Sequence, residues 1–181
     1  MEENQILDSD VLNTASNVEP QYIISQSKFI TLCALTMGLY GVWWVYKSWR
    51  FFREYEDSDI MPAVRAFFAI IFLIPLLNKI QDFAKDSGYT SSFSSGALFA
   101  GFLITNLLSR LPDPMWLVSI FSFVFLIPAF NALNYAKLNT PDLNVIEQES
   151  FNGKQIILLI IGGLFTAFLF YILITEPSGG Y

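Results

Sequence analysis

The chain contains no histidine and only one cysteine, Cys33, among its 181 residues. These two absences exclude an intramolecular disulfide, the zinc sites built from cysteine and histidine, and general acid-base catalysis by histidine. The sequence also lacks a metalloprotease helix motif, a glycine-rich phosphate loop, a nucleophile elbow and an acidic cluster within an apolar segment. We therefore expect a protein that is not an enzyme, with no metal site and no cofactor.

Charged residues are scarce as well. They make up 14% of the chain, against about 25% in typical soluble domains, whereas 54% of the residues are hydrophobic and the mean hydropathy is +0.48. A soluble protein of this size cannot bury so much apolar surface, so the composition excludes an ordinary cytosolic enzyme, a disordered chain and a collagenous rod. The net charge of -6 argues against nucleic acid as a partner, because phosphate neutralisation needs clustered Lys and Arg. The sequence predicts an all-α integral membrane protein whose partner is the lipid bilayer.

The N-terminal region is acidic, and we do not expect it to be a cleavable signal peptide. Five of the sixteen acidic residues lie in the first nineteen positions, with neither the basic stretch nor the apolar stretch of a cleavable signal. Little apolar material is available there to offset the entropy cost of ordering the backbone. We therefore expect residues 1–27 to form a flexible, solvated acidic arm and residues 28–176 to form a membrane helical bundle.

Apolar segments divide the rest of the chain into about five transmembrane candidates. The last is the clearest, because residues 156–174 carry no charge and a bilayer core requires roughly 20 apolar residues in a helix. The first is interrupted by Gly38 and Gly41, which leaves two alternatives, a spanning helix with a close-packing notch or a re-entrant hairpin that turns at the glycines. The segments lie near residues 29–50, 62–82, 97–111, 115–136 and 155–175.

Aromatic and basic side chains mark the end of the first segment and the start of the second. Amphipathic rings favour the bilayer-water interface, and long basic side chains can reach lipid phosphates from just inside it. Arg50 and Glu54 are spaced i,i+4, so we expect the helix to extend beyond the membrane. The predicted interfacial anchors are Trp43, Trp44, Lys47, Trp49, Arg50 and Arg65.

The orientation follows from the distribution of Lys and Arg between the two sides. Five true spans divide the ten basic residues five against five. A re-entrant first segment moves Lys28 across and changes the count to six against four, in favour of the side that holds the 47–65 loop. Because basic residues are dense in this loop, we expect it to face the cytoplasm.

A motif occurs twice, at residues 72–81 and 125–134, with a constant offset of 53 residues. Both copies read Phe-Leu-Ile-Pro-x-x-Asn-x-x-(Gln/Asn), and one apolar segment lies between them. The two helices are therefore expected to point the same way through the membrane, as in parallel repeats of some transporters. The prolines of the motif are Pro75 and Pro128, and its amides are Asn78, Gln81, Asn131 and Asn134.

The chemistry of this motif allows two interpretations. A proline within a helix removes one backbone hydrogen bond and bends the axis, and the two amides of each copy lie on one helical face where they can donate and accept hydrogen bonds. The amides then either join the two helices to each other or sit at the headgroups. In the alternative, they line a polar intramembrane site for an ion, a headgroup or a polar solute, with the prolines as hinges.

Two further patterns indicate helix packing. Small residues recur four positions apart at Ala97 and Gly101 and at Gly163 and Ala167. This spacing allows close approach between membrane helices, within one chain or between copies.

Residues 38–49 read Gly-Leu-Tyr-Gly-Val-Trp-Trp-Val-Tyr-Lys-Ser-Trp, and residues 62–66 read Pro-Ala-Val-Arg-Ala. These motifs resemble a family of small bacterial multi-pass membrane proteins of unknown function, which share this aromatic-basic signature and a Pro-x-x-Arg-Ala helix start. The resemblance covers roughly the first 80 residues, through the second apolar segment. It implies location in a bacterial inner (plasma) membrane and carries no activity with it.

These observations lead to two main hypotheses for function. The first is a non-catalytic multi-pass membrane protein that acts through a membrane protein partner or as a homo-oligomer in the bilayer. The alternative is a small transporter, channel or lipid-binding protein that uses the paired Pro-x-x-Asn helix faces. Membrane-embedded group transfer at Arg65, where a phosphate could dock, is a more distant possibility.

Overall fold

The computed structural model describes residues 19–112, 115–141 and 143–175. The predicted all-α class is confirmed, because seven α-helices make up most of this part of the chain. The helices are α1 (Gln26–Leu35), α2 (Leu39–Tyr55), α3 (Pro62–Phe67), α4 (Ala69–Asp86), α5 (Ser95–Leu107), α6 (Ile127–Asn139) and α7 (Gly153–Thr175). Two 3-10 helices, Leu108–Arg110 and Met115–Leu126, and two short strands, β1 (Gln21–Ile23) and β2 (Val145–Glu147), complete it.

The two strands form a small parallel sheet that the sequence did not predict. Tyr22 pairs with Ile146 in the centre of the register, and Ile23 and Ile24 are buried. Residues 19–27 are therefore structured, which corrects the expectation of a flexible arm over this stretch. The burial of these two apolar side chains and the strand pairing offset the entropy cost of ordering this stretch. Residues 1–18 of the predicted arm lie outside the described residues.

The first apolar segment folds as a helical hairpin. Met37 and Gly38 between α1 and α2 have left-handed backbone conformations, with φ of 53° and 85°. The Phe29 ring lies 5.9 Å from the Trp44 ring, centroid to centroid, whereas a rise of about 1.5 Å per residue would separate these positions by about 22 Å in one helix. A continuous helix over 29–50 is therefore wrong, and the turn at the glycine is the observed alternative.

The second apolar segment is also divided. Phe68, between α3 and α4, has ψ of 42°, although its amide still donates to the carbonyl of Val64 and its carbonyl still accepts from Phe72. Glu56, before α3, forms a salt bridge of 2.6 Å with Lys79 of α4. The chain therefore leaves α2 and returns along α4 to the same end of the molecule, and a single helix across 62–82 is wrong.

Helices α4 and α6 pack side by side and point the same way, as the repeated motif predicted. Near their C-terminal ends the hydroxyls of Ser87 and Thr140 lie 3.4 Å apart, and these positions differ by the same 53 residues as the two motifs. Pro75 lies inside α4. Pro128 lies in the first turn of α6, directly after the 3-10 helix, where proline is tolerated. It marks a helix boundary, which corrects the predicted kink within one helix.

Two helical stretches of the described residues are long and apolar enough to cross a membrane. One is Met115–Asn139, which joins the second 3-10 helix to α6, and the other is Gly153–Ile172 within α7. Length and composition thus identify two candidate spans, at the fourth and fifth predicted segments. The first and second predicted segments are each divided into shorter helices, and the third is α5 with its 3-10 extension.

One end of the molecule collects most of the polar contacts, and we call it the polar end. Helices α2, α4 and α6 finish there, as the Glu56–Lys79 and Ser87–Thr140 contacts require. Helix α1 begins toward this end, because the Gln21 side chain shortly before it accepts a hydrogen bond from Lys137 near the end of α6. Helix α7 begins beside it, because Lys28 near the start of α1 donates hydrogen bonds to the backbone carbonyls of Gln148 and Glu149. The opposite end carries the α1–α2 turn, the start of α4 and the end of α5.

Candidate functional site

The four amides of the repeated motif do not form one site. Helices α4 and α6 pack against each other, and the face that each of them buries is apolar, with Leu73, Leu77 and Leu133 almost fully buried. Asn78 is exposed and Asn131 is partly exposed, since each lies on the side of its helix that faces away from this contact. The amides therefore do not join α4 to α6, and none of them lines either of the two cavities described below.

Three of these amides hold other parts of the chain. Asn131 donates to the Gln26 side chain at 2.8 Å, and Asn134 donates to the carbonyl of Ile24 at 3.0 Å, so both fasten the N-terminal segment to α6. With its side-chain amide oriented so that the nitrogen faces the carbonyl of Phe93, Gln81 donates to that oxygen at 2.7 Å and joins the end of α4 to the segment that precedes α5.

The predicted interfacial anchors separate into two groups. Trp43 is about half exposed and Lys47 is exposed. In contrast, Trp44 and Trp49 are 8% and 1% exposed, so they belong to the core and cannot anchor the chain in lipid. Both rings lie on the face of α2 that packs against the rest of the protein. In an aromatic-rich helix, the packing decides which rings are buried.

The other two predicted anchors, Arg50 and Arg65, have specific partners. Arg50 forms salt bridges of 2.6 Å with Glu19 and 2.7 Å with Glu54, which confirms the predicted i,i+4 pair. Arg65 lies over the Trp49 ring, with its Cζ 4.3 Å from the ring centroid. Because Glu19 meets Arg50, the N-terminal segment lies at the same end as the C-terminal half of α2.

A buried lysine near this end was not identified from the sequence. Lys137 is 8% exposed. Its Nζ donates to Oε1 of Gln21 at 2.9 Å and lies 4.2 Å from the centroid of the Phe51 ring. Lys137 directly follows the predicted segment 115–136, yet it continues the i, i+4 spacing of buried residues from Ala129 and Leu133. That spacing was the available signal.

A groove of about 530 Å³ opens at the polar end between the C-termini of α2, α4 and α6. Its aromatic walls include Phe52, and Lys79 places its Nζ 5.4 Å from that ring while it pairs with Glu56. Asp82 and Asp86 also line it. The groove is therefore a charged surface whose basic group is already paired within the chain.

A second, more apolar cavity of about 220 Å³ lies toward the opposite end. The α1–α2 turn, the first turns of α4, the end of α5 and the second 3-10 helix form its walls. Val45, Leu73 and Phe102 contribute apolar surface, and Asn106 and Ser119 contribute the polar rim. No sequence motif predicts this cavity, because its walls come from four separate segments.

Comparisons of the chain with protein-family models, with curated proteins and with solved structures found no match.

Proposed function

We propose that this chain is a non-catalytic multi-pass protein of a bacterial inner membrane that acts by self-association within the bilayer. The observation that supports this proposal best is the uncovered face of α7 around Gly163 and Ala167.

Helix α7 contacts the remainder of the protein along one narrow line. The Thr166 hydroxyl donates to the carbonyl oxygen of Leu35 at 3.2 Å, and a Cβ at Gly162 would lie only 2.5 Å from the same oxygen. Around the rest of the helix large apolar side chains are exposed, such as Leu164 at 68% and Phe168 at 58%. An apolar helix of this length with so little cover is suited to lipid.

The glycines of the membrane helices differ in what they contact. A Cβ at Gly101 or Gly162 would collide with neighbouring atoms of the chain, so the packing of the described residues requires both glycines. A Cβ at Gly163 would have no atom of the described residues within 4 Å, and Ala167 is exposed. Glycine in a helix interior costs roughly 0.5–1 kcal/mol relative to alanine, and packing within the chain does not offset that cost at Gly163. Small residues on a lipid-facing helix favour close approach of a second helix.

The distribution of basic residues supports an orientation. Eight of the ten Lys and Arg residues lie at the polar end or in the adjoining half of α2, whereas Arg110 lies at the opposite end. The positive-inside rule then favours a cytoplasmic polar end, in agreement with the expected cytoplasmic 47–65 loop. The eight are Lys28, Lys47, Arg50, Arg53, Lys79, Lys85, Lys137 and Lys154.

The end at which each helix begins also favours a revised count of spans. In our proposal, three elements cross the bilayer: α5 with its 3-10 extension, the stretch Met115–Asn139, and α7. The α1–α2 hairpin and the bent α3–α4 unit enter and leave at the polar end, as re-entrant segments packed within protein can.

The test is energy transfer between donor-labelled and acceptor-labelled copies of the full chain in lipid vesicles, measured over a series of protein-to-lipid ratios. The wild-type chain is expected to self-associate, and Gly163→Leu is expected to weaken association by about tenfold, because the added side chain keeps a second helix away. Ala100→Leu, which places the same leucine side chain at an exposed position of α5, is the matched control and should leave association unchanged.

Circular dichroism should show the same helical content for both variants and the wild type. Energy transfer no higher than random proximity in the wild type would contradict the proposal. Undiminished transfer in Gly163→Leu would do the same.

A further inference from the structure

The geometry points to a binding site for an anionic phospholipid, with its phosphate at Arg65 and one acyl chain in the apolar cavity between α2 and α4. This site is independent of the α7 face that carries the proposed self-association.

Arg65 has no acidic partner among the described residues, unlike Arg50, Arg53 and Lys79, which all form salt bridges. Its guanidinium is held between two rings, 4.3 Å from the centroid of Trp49 and 5.4 Å from that of Phe72. Stacking on aromatic rings orients an arginine and leaves its N–H groups free to bind an oxyanion by paired hydrogen bonds.

A second polar group beside Arg65 also lacks a partner. Trp49 is 1% exposed, and its Nε1–H makes no hydrogen bond within the part of the chain that the structure describes. An unpaired buried donor costs about 1–3 kcal/mol of stability. A ligand oxygen that accepted a hydrogen bond from it would remove this cost. Arg65 and Trp49 together therefore offer unused N–H donors and one uncompensated positive charge.

The surface around Arg65 is strongly apolar, which favours lipid as the source of the anion. An arginine that binds a free anion in water would be expected among polar neighbours, whereas the neighbours of Arg65 are exposed hydrophobic residues. They are Met61, Val64, Phe67, Phe68, Ile70 and Ile71, with exposures from 45% to 82%.

The apolar cavity begins one helical turn from this pair. Val45, which lines the cavity, precedes Trp49 by four residues on α2, and Leu73, which also lines it, follows Phe72 directly on α4. One turn of helix is about 5.4 Å. An engineered cavity of about 150 Å³ is enough to bind benzene, so the 220 Å³ here has room for part of a hydrocarbon chain. Val42, which is 46% exposed, stands at its wall and places the cavity next to the lipid-facing surface.

The two parts of the site select one class of ligand. A free phosphate would leave the cavity empty, and a neutral hydrocarbon would leave Arg65 without an anion. A phospholipid whose headgroup lies at the polar-end interface extends its chains toward the bilayer centre, which is the direction from Trp49 to Val45 along α2. The positive charge of Arg65 and the direction from Arg65 to the cavity therefore both match a membrane phospholipid.

The test is native mass spectrometry of the full chain released from mild-detergent micelles after titration with phosphatidylglycerol. Arg65→Gln is expected to weaken binding about tenfold by removing the charge-assisted hydrogen bonds. Ala69→Leu is expected to weaken it to a similar extent by filling the cavity that Ala69 lines. Lys154→Gln removes an exposed basic side chain at the start of α7 and is the charge-matched control, with binding expected within about twofold of the wild type.

Two further probes separate the sources of the anion. Diacylglycerol with the same chains is expected to bind about tenfold more weakly than phosphatidylglycerol because it lacks the phosphate, and millimolar inorganic phosphate is expected not to displace the phospholipid. Equal binding of the two lipids, or displacement by phosphate, would overturn the proposal.

Folding of the variants is checked by circular dichroism. If Arg65→Gln does not fold, Arg65→Lys and Ala69→Leu decide the result. Arg65→Lys keeps the charge and loses the planar pair of donors. It should therefore bind phosphatidylglycerol more weakly than the wild type and Lys154→Gln do, but more tightly than Ala69→Leu does. Wild-type affinity in both Arg65→Lys and Ala69→Leu would refute the site.

Discussion

Lys137 and Gln21 lie 116 positions apart in the sequence, and the Lys137 ammonium donates a hydrogen bond to the Gln21 side chain at 2.9 Å. This bond joins α6 to the N-terminal strand. Burying an ammonium group is costly unless it is hydrogen-bonded, and here the amide oxygen of Gln21 and the face of the Phe51 ring, 4.2 Å from Nζ, provide the compensation.

We predict that Gln21→Leu destabilises the protein more than Lys137→Met does. Removing the acceptor leaves the buried ammonium unpaired and should cost about 1.5–3 kcal/mol. Removing the lysine leaves a half-buried amide that water can reach, and methionine keeps most of the packing on Phe51. Thermal unfolding of both variants in the same mild detergent measures the difference, and the double variant should be no less stable than Gln21→Leu. A larger loss for Lys137→Met would show that the ammonium group itself stabilises the fold.

The contact between Gly101 and Phe125 leads to a second prediction. A Cβ at position 101 would lie 2.2 Å from Cε1 of Phe125, so Gly101→Ala should destabilise the protein by about 1–3 kcal/mol through overpacking. The double variant with Phe125→Leu should recover part of this loss, because the smaller side chain makes room for the new methyl group. Gly96→Ala is the control, since a Cβ there has open space and alanine is the better helix former. The prediction fails if Gly101→Ala and Gly96→Ala unfold at the same temperature.

The orientation can be tested by labelling intact cells with a membrane-impermeant maleimide. Ser92→Cys, exposed between α4 and α5, should react only after the membrane is opened, because this loop lies at the polar end with the end of α2. Ser109→Cys, exposed at the opposite end, should react from outside. The native Cys33 is buried and provides the unlabelled background. Reaction of Ser92→Cys in intact cells would contradict the proposed orientation.

Some parts of the fold follow from the local sequence, whereas others depend on contacts and backbone angles that the local sequence does not determine. The last helix was expected at 155–175 and runs over Gly153–Thr175, because a long stretch without charge has few alternatives in a bilayer. The divisions of the first two segments depend on single backbone angles. Gly38 indicates its turn, whereas nothing about Phe68 as a residue type indicates a bend.

The candidate site shows the same division. Helical spacing correctly placed each pair of amides on one face, and the offset of 53 residues matches the packing register of α4 and α6. Which face meets the neighbouring helix is decided by the packing of large apolar side chains such as Leu77 and Leu133. The pairing of Lys137 with Gln21 and the stacking of Arg65 on Trp49 join distant segments, and no local pattern predicts such contacts.

The small parallel sheet has a consequence for the order in which the protein is assembled. Gln21 pairs with Val145, and chains are synthesised from the N-terminus, so six of the seven helices have been made before β1 can meet its partner. Until then Ile23 and Ile24 lack part of their final cover, and closing so long a loop carries an entropy cost that the earlier helices must first reduce by packing. The first described residues of the chain are therefore among the last to reach their final positions.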